Sequence, residues 1–114
     1  MSKLTEKLKK KLCGSGATSV RPANAVAALI KKGAFILDVR TMFATRKGIA
    51  PGATKIPLLR LKRHLGELPK NKVIVTYCGT GERAGKARDI LEAAGFQAVN
   101  GGGYAGILDI LGKK

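Results

Sequence analysis

Tryptophan is absent from the 114 residues, and three Phe and two Tyr make up the whole aromatic content. Any core must therefore be filled by Leu, Ile, Val and Ala. The interleaved aromatics of a nucleic-acid stacking platform are missing too, which argues against a specific nucleic-acid partner. Two cysteines, Cys13 and Cys78, stand 65 residues apart, and His64 is the single histidine. That supply excludes a Cys/His structural zinc site and leaves two free thiols as the simplest state. No apolar run approaches the roughly 20 residues of a membrane span, and no apolar stretch of the export-signal kind follows the first lysines. A cytoplasmic protein is the expectation, and a mature periplasmic form would read the same way. Acidic residues are also scarce, 7 against 22 basic ones, for a formal charge of +15. Such a surface attracts anions and steers anionic partners toward it. Lys3, Lys7, Lys9, Lys10 and Lys11 against Glu6 supply +4, leaving +11 for the rest, so the basicity belongs to the whole chain.

The length fits one domain. "MSKLTEKLKKKL" sets Leu4, Leu8 and Leu12 on one face of a basic helix, suited to docking on the domain or touching anionic lipid. "CGSGATS" reads as a hinge. Residues 1–16 are thus an amphipathic extension and hinge, and 17–114 the folded domain. "RPANAVAALIKKG" predicts a helix with Pro22 in its first turn and Val26, Leu29 and Ile30 facing the core. "AFILDV" and "KVIVTY" are continuous apolar runs, the pattern of strands covered on both faces. "ATKIP" predicts a short strand after the "APGA" turn. "LLRLKRHL" predicts a short amphipathic helix packing Leu58, Leu61 and Leu65, with His64 toward solvent. "RAGKARDILEAAG" is a further helix, "FQAV" the last strand, "NGGGY" a tight turn and "AGILDIL" a closing helix. This alternation predicts an α/β fold with a mostly parallel sheet flanked by helices on both faces. Ligands in such folds bind beyond the carboxyl ends of the strands, where Asp38 and Cys78 fall.

The stretch "VIVTYCGTGERAG" carries the chemistry. A loop leaving a parallel strand and entering a helix presents unpaired backbone N–H groups that form an anion-binding nest. Gly79 and Gly81 let the backbone curl, and a helix starting near Arg83 or Ala84 adds its positive end. A helix terminus contributes only about 0.3–2 kcal/mol, so direct N–H contacts or a nearby cation must add the rest. Arg83, Lys86 and Arg88 are candidates for that cation, whereas Glu82 opposes it unless it points outward. A thiolate held there is a nucleophile. The competing reading is a small buried apolar cysteine, and the Gly-x-Gly and Arg that follow argue for an exposed one.

"FILDVR", "GIAPGATKIPL", "YCGTGERAGKARDILEAAGF" and "NGGGYAGI", in that order, resemble the rhodanese (thiosulfate sulfurtransferase) family, in particular its small single-domain members of the phage shock protein E type. The resemblance covers roughly residues 17–110 and excludes the basic first helix. It implies a doubly wound α/β domain whose loop cysteine takes a sulfane sulfur from a donor and passes it on from a persulfide. On that resemblance Cys78 is the catalytic cysteine. Gly79, Thr80, Gly81, Glu82 and Arg83 form the substrate-binding cradle, and Asp38 and Arg40 are supporting residues. Asp38 is expected to pair with Arg83 or the loop backbone. The implied partners are a small anionic sulfur donor and a nucleophilic acceptor, cyanide or a thiol, with a protein acceptor as an alternative. No metal or organic cofactor is needed for such chemistry. The family's usual Gly-His-Ile-Pro-Gly-Ala reads here as Gly48-Ile49-Ala50-Pro51-Gly52-Ala53. Thr41, Met42, Phe43 and Ala44 stand where acidic residues commonly follow "DVR", and Ile107 occupies a position often aromatic. These departures make the entrance more cationic.

Three other readings compete with this one. A phosphatase or arsenate reductase resembles Cys-x5-Arg, whereas Cys78 to Arg83 is Cys-x4-Arg, a loop too tight for a tetrahedral phosphate. A non-catalytic basic domain would bind phosphates with steep salt dependence. Cys13 could resolve a persulfide on Cys78, or be an incidental thiol. The glycines at 101 to 103 are expected to serve the turn before the last helix and only secondarily the pocket.

Overall fold

The computed structural model describes residues 20–112; the basic first helix, the hinge and Cys13 lie outside the described residues. In chain order the elements are α1 (Ala23–Lys31), β1 (Phe35–Asp38), a short 3-10 turn (Ala44–Lys47), β2 (Thr54–Lys55), a longer 3-10 segment (Leu58–Glu67), β3 (Ile74–Cys78), α2 (Glu82–Ala93), β4 (Ala98–Gly103) and α3 (Tyr104–Ile110). The four strands pair in the order β2-β1-β3-β4, all parallel. Parallel neighbours require crossovers, and the helices that make them cover the sheet.

Both faces of the sheet are apolar, which explains the unbroken hydrophobic runs in β1 and β3. Alternate residues serve alternate layers. Leu37, Val39, Ile74 and Cys78 pack with Leu61, Ala84, Ala87 and Leu91 under α2 and the long 3-10 segment. Ile36, Val75 and Tyr77 pack with Val26, Ala50 and Ile107 under α1 and α3. The predicted α/β architecture, a parallel sheet between two helical layers, is the observed one.

Local differences have physical reasons. "LLRLKRHL" winds as 3-10 rather than α-helix, a geometry in which residues three apart eclipse. Leu58 and Leu61 thereby face the core with Leu65, while Leu59 is 95% exposed. Pro22 is the residue that caps α1 rather than part of its first turn, and α2 begins at Glu82, slightly earlier than expected. "FQAV" is only partly a strand, since β4 starts at Ala98 and runs on through "NGGG". Those glycines are therefore not a tight turn. A Cβ on Gly101 would fall 2.6 Å from Val75 Cγ1 and 2.8 Å from the Thr76 carbonyl oxygen. At Gly101 the strand therefore passes too close to β3 for a side chain. His64 is partly covered, its Nδ1 lying 2.7 Å from Glu67 Oε2.

Candidate active site

Cys78 closes β3, and its side chain points to the α2 face. The chain then turns through Gly79 and Thr80, both exposed, and reaches Gly81, which caps α2 with φ of 103°. That left-handed conformation suits glycine alone among ordinary residues. It brings the Gly81 N–H to Cys78 Sγ at 2.9 Å. Glu82 opens the helix and Arg83 follows, both exposed to solvent. The turn from β3 into α2 lies where the sequence predicts it, but among the hydrogen bonds of the described residues one backbone N–H, that of Gly81, meets the sulfur in place of the expected nest of several, and the cysteine is not exposed. Cys78 retains only 2% of its surface and belongs to the apolar cluster of the α2 layer. The reason is the alternation of β3, which puts Cys78 on the same inner face as Ile74. The free thiol sits one residue from the exposed Gly79.

The loop is held from behind by β4. Asn100 is fully buried; its Nδ2 donates to the Gly81 carbonyl at 2.8 Å, and its Oδ1 accepts the Gly102 N–H at 2.9 Å. The Gly81 carbonyl also accepts the Gly85 N–H of α2 at 3.0 Å. Thr76 Oγ1 donates to the Ala84 carbonyl at 2.8 Å, tying the first turn of α2 to β3. Cys78 stands in register with Gly103, where a Cβ would come 2.6 Å from the Gly79 carbonyl oxygen. Of the glycines from 101 to 103, Gly103 therefore leaves room for the cysteine loop, a direct part in the site where a secondary one was expected, while Gly101 leaves room for β3. Sequence reasoning missed Asn100 and Thr76. The available signal was a polar residue at the buried centre of each strand, a position that requires a hydrogen-bonding duty.

Asp38 and Arg40 are close to each other but not to Cys78, because their side chains leave the opposite face of the sheet. The expected pairing of Asp38 with Arg83 or the loop backbone is replaced by a pairing with Arg40. Asp38 Oδ2 lies 2.9 Å from Arg40 Nη2, and Arg40 Nε and backbone N–H donate to the same carboxylate. Tyr77 Oη donates to Asp38 Oδ2 at 2.6 Å and accepts the Ala50 N–H at 2.9 Å. Arg40 Nη2 donates to the Gly48 carbonyl at 2.7 Å, and its guanidinium lies 4.0 Å from the centroid of the Tyr104 ring. Burial works against the Arg40 charge, yet the hydrogen bond and attraction of Asp38 outweigh it and raise the guanidinium's affinity for its proton. Burial pushes the Tyr77 hydroxyl well above its ordinary value; the Ala50 N–H opposes this and Asp38 adds to it. The cluster clamps the 48–50 segment and α3 against the strand ends. The Asp38 alternation could have been read from "ILDVR", where it shares a face with Ile36.

On the α2 face a cavity of about 310 Å³ borders the first turn of α2, lined by Val39, Met42, Leu58, Leu59, Arg60 and Arg83 among others. Val39 and Leu58 also pack in the cluster that contains Cys78. No helix among the described residues is long and apolar enough to cross a membrane.

The order of these parts has counterparts in known proteins. A sulfurtransferase of Allochromatium vinosum is 30% identical over 64 residues, 56% of this chain, and the chain spans 60% of that relative's length. The thiosulfate sulfurtransferase PspE of Escherichia coli K12 is 32% identical over 80 residues, covering 68% of this chain and 75% of that one. Among solved structures, a rhodanese-like domain protein from Staphylococcus aureus superimposes with a TM-score of 0.61 at 30% identity, over 96% of this chain and 89% of the other. The family model described as the rhodanese-like domain matches residues 22–109, from the cap of α1 into α3 with the whole cysteine loop between, and the chain accordingly belongs to the rhodanese-like domain family.

Proposed function

We propose that this domain is a sulfurtransferase of the single-domain phage shock protein E type that carries sulfane sulfur on Cys78. The observation that carries the reading is the 2.9 Å contact from the Gly81 N–H to Cys78 Sγ, a backbone donor aimed at the one atom that bears charge through the cycle. The relative named a thiosulfate sulfurtransferase supports thiosulfate as the donor. The donor reaches the sulfur past the exposed Gly79 and Thr80. The Cys78 thiolate attacks the outer sulfur of thiosulfate; a new S–S bond forms, the old one breaks, and sulfite leaves with the electron pair. Cyanide or a thiolate then attacks the terminal sulfur of the persulfide, giving thiocyanate or a new persulfide and returning Cys78 as thiolate.

Both steps conserve charge, and both place an anion beside the same amide. A donor fixed in advance stabilises that anion without reorganisation at the moment of reaction. A hydrogen bond to an ionised group is worth about 1.5–3 kcal/mol, and the Gly81 N–H makes that contribution at each stage of the cycle in which the sulfur is anionic. Asp38 and Arg40 act at a distance in this scheme, bracing the strand ends. The Gly79–Arg83 loop contributes Gly81 directly, while the exposed Glu82 and Arg83 face arriving ligands.

Intact-protein mass spectrometry with peptide mapping, before and after thiosulfate, tests the reading. One sulfur gained on Cys78 and lost on adding cyanide is the expected result. Turnover retained by Cys78→Ser would remove the covalent route.

A further inference from the structure

The surface beside the cysteine loop carries more exposed apolar area than a small inorganic donor can use. Leu59 is 95% exposed, Phe43 76% and Met42 52%, and these three are most of the large hydrophobic side chains the described residues leave in solvent. Met42 and Leu59 line the cavity on the α2 face together with the guanidinium-bearing Arg60 and Arg83. Phe43, next in the chain to Met42, lines a separate hollow with Arg46 and Lys47, the Arg46 guanidinium lying 5.5 Å from its ring centroid. Among the described residues no carboxylate lines the cavity on the α2 face. A contiguous exposed apolar patch rimmed by charge of one sign marks a macromolecular contact. The sign of the rim selects the partner.

We propose that this groove docks an acidic protein segment bearing an apolar side chain and a cysteine, and that this cysteine is the physiological acceptor of the Cys78 sulfur. The inference rests on the sulfur-transfer reading above. Thiosulfate needs cations but gains nothing from Leu59 or Phe43. A second copy of the chain brings its own +15 charge against Arg60 and Arg83. An acidic segment satisfies both halves of the surface, its carboxylates meeting the arginines while its apolar side chain covers Leu59 and Met42. Arg83 stands in the first turn of α2, directly after the cysteine loop, and Val39 and Leu58 of the same lining pack in the cluster that contains Cys78, so a segment seated there approaches the loop from the α2 side. The transfer balances: the acceptor thiolate attacks the outer sulfur of the Cys78 persulfide, the S–S bond breaks, and Cys78 leaves as thiolate while the acceptor becomes the persulfide.

The test uses the full chain, loaded with thiosulfate, and three synthetic cysteine peptides: one with Asp, Glu and Leu around the cysteine, one with Ser replacing Leu, and one with Lys replacing the acids. Transfer is followed by mass spectrometry. The acidic Leu peptide is expected to discharge the persulfide at least about tenfold faster than the Lys peptide at low salt, with the advantage shrinking as salt rises. It is also expected to outrun the Ser peptide. Leu59→Ser and Arg60→Glu, both at exposed positions, should each remove most of that advantage and leave discharge by cyanide unchanged. Equal rates for the acidic and Lys peptides, or for the Leu and Ser peptides, would overturn the docking proposal while leaving sulfur transfer intact. So would variants that slow thiosulfate loading equally, which would make the groove a donor subsite, or a dimer in sedimentation that Leu59→Ser dissolves. If the unmodified protein neither loads from thiosulfate nor discharges to cyanide, the sulfur-transfer reading itself has failed.

Discussion

Asn100, at the buried centre of β4, donates from Nδ2 to the Gly81 carbonyl across 2.8 Å, on the far side of the residue whose N–H meets Cys78 Sγ at 2.9 Å. One side chain thereby sets the orientation of the cap that faces the sulfur. Its other end is committed as well, since Oδ1 accepts the Gly102 N–H. The segment that the sequence reads as a last strand followed by a tight turn is the back wall of the site.

Asn100→Leu tests that arrangement. Removing the amide leaves the Gly102 N–H unpaired and takes one of two donors from the Gly81 carbonyl, each buried polar group costing about 1–3 kcal/mol. The expected outcome is a folded protein whose kcat for thiosulfate:cyanide transfer falls at least about tenfold while KM changes little, because the loss lies in the orientation of the amide, not in donor binding. A full kcat in a protein with reduced melting temperature would make Asn100 a merely structural residue.

Gly81→Val acts on the amide itself. Gly81 has φ of 103°, and a Cβ there would stand 3.1 Å from Val20 Cγ2 and 3.5 Å from Gly102 Cα. A β-branched residue must leave that conformation and rotate its N–H away from the sulfur. Loss of a hydrogen bond worth about 1.5–3 kcal/mol corresponds to a drop of roughly 10-fold to 150-fold in sulfur transfer. The same assay, with circular dichroism to check folding, decides it; an unaffected rate would separate catalysis from the loop geometry.

The contrast between these residues explains what was legible in the sequence. The strands could be read because β1 and β3 are covered on both faces, which forces continuous apolar runs such as "AFILDV" and "KVIVTY". Cys78 and Gly81 could be read because the loop's shape needs glycine at position 81, whereas Gly79, with an ordinary φ and open space beside it, is not required for the curl expected of it. The side-chain direction of Cys78 was also encoded, in its alternation with Ile74 and Thr76, but loop composition suggested exposure and alternation decided burial. The expected pairing of Asp38 with Arg83 or the loop backbone fails for the same reason: both residues end neighbouring strands, but Asp38 and Cys78 leave opposite faces of the sheet. Asn100 stood out only as a polar residue beside an apolar run; its duty was not legible, because its partner, the Gly81 carbonyl, belongs to a segment 19 residues away that only the β3–β4 pairing brings near.

Asp38 and Arg40 predict a stability effect instead of a direct catalytic one. Both are buried, with 0% and 9% of their side chains exposed, and each supplies the other's counter-charge. Asp38→Ala leaves the Arg40 guanidinium without its carboxylate, a loss of about 3–5 kcal/mol for a broken buried pair. Asp38→Ala combined with Arg40→Met removes both charges and is expected to recover part of that stability, because no unpaired ion remains. Urea denaturation of the two variants and the parent checks the order. A double variant less stable than Asp38→Ala alone would show that Arg40 contributes more through Gly48 and Tyr104 than through Asp38.

Tyr77 gives the pair a pH signature. Burial, with Asp38 adding to it, holds the Tyr77 hydroxyl protonated well above its ordinary value near 10. Below about pH 10 the folded and unfolded chains both keep this proton, and the contribution of Tyr77 is complete. As pH rises past that point the unfolded chain releases the proton and the folded chain retains it. The unfolded state then gains, by up to about 1.4 kcal/mol per pH unit, until the folded hydroxyl also ionises. Tyr77→Phe cannot lose that proton in either state. The variant is expected to start about 1–3 kcal/mol less stable at neutral pH, where the Ala50 N–H loses its acceptor and Asp38 loses a donor. It should then fall less steeply above pH 10, so that the two stability curves converge in alkali. Parallel curves in urea titrations across that range would mean that Tyr77 ionises as readily in the folded chain as in the unfolded one, and the clamp around Asp38 would have to be weaker than its 2.6 Å hydrogen bond implies.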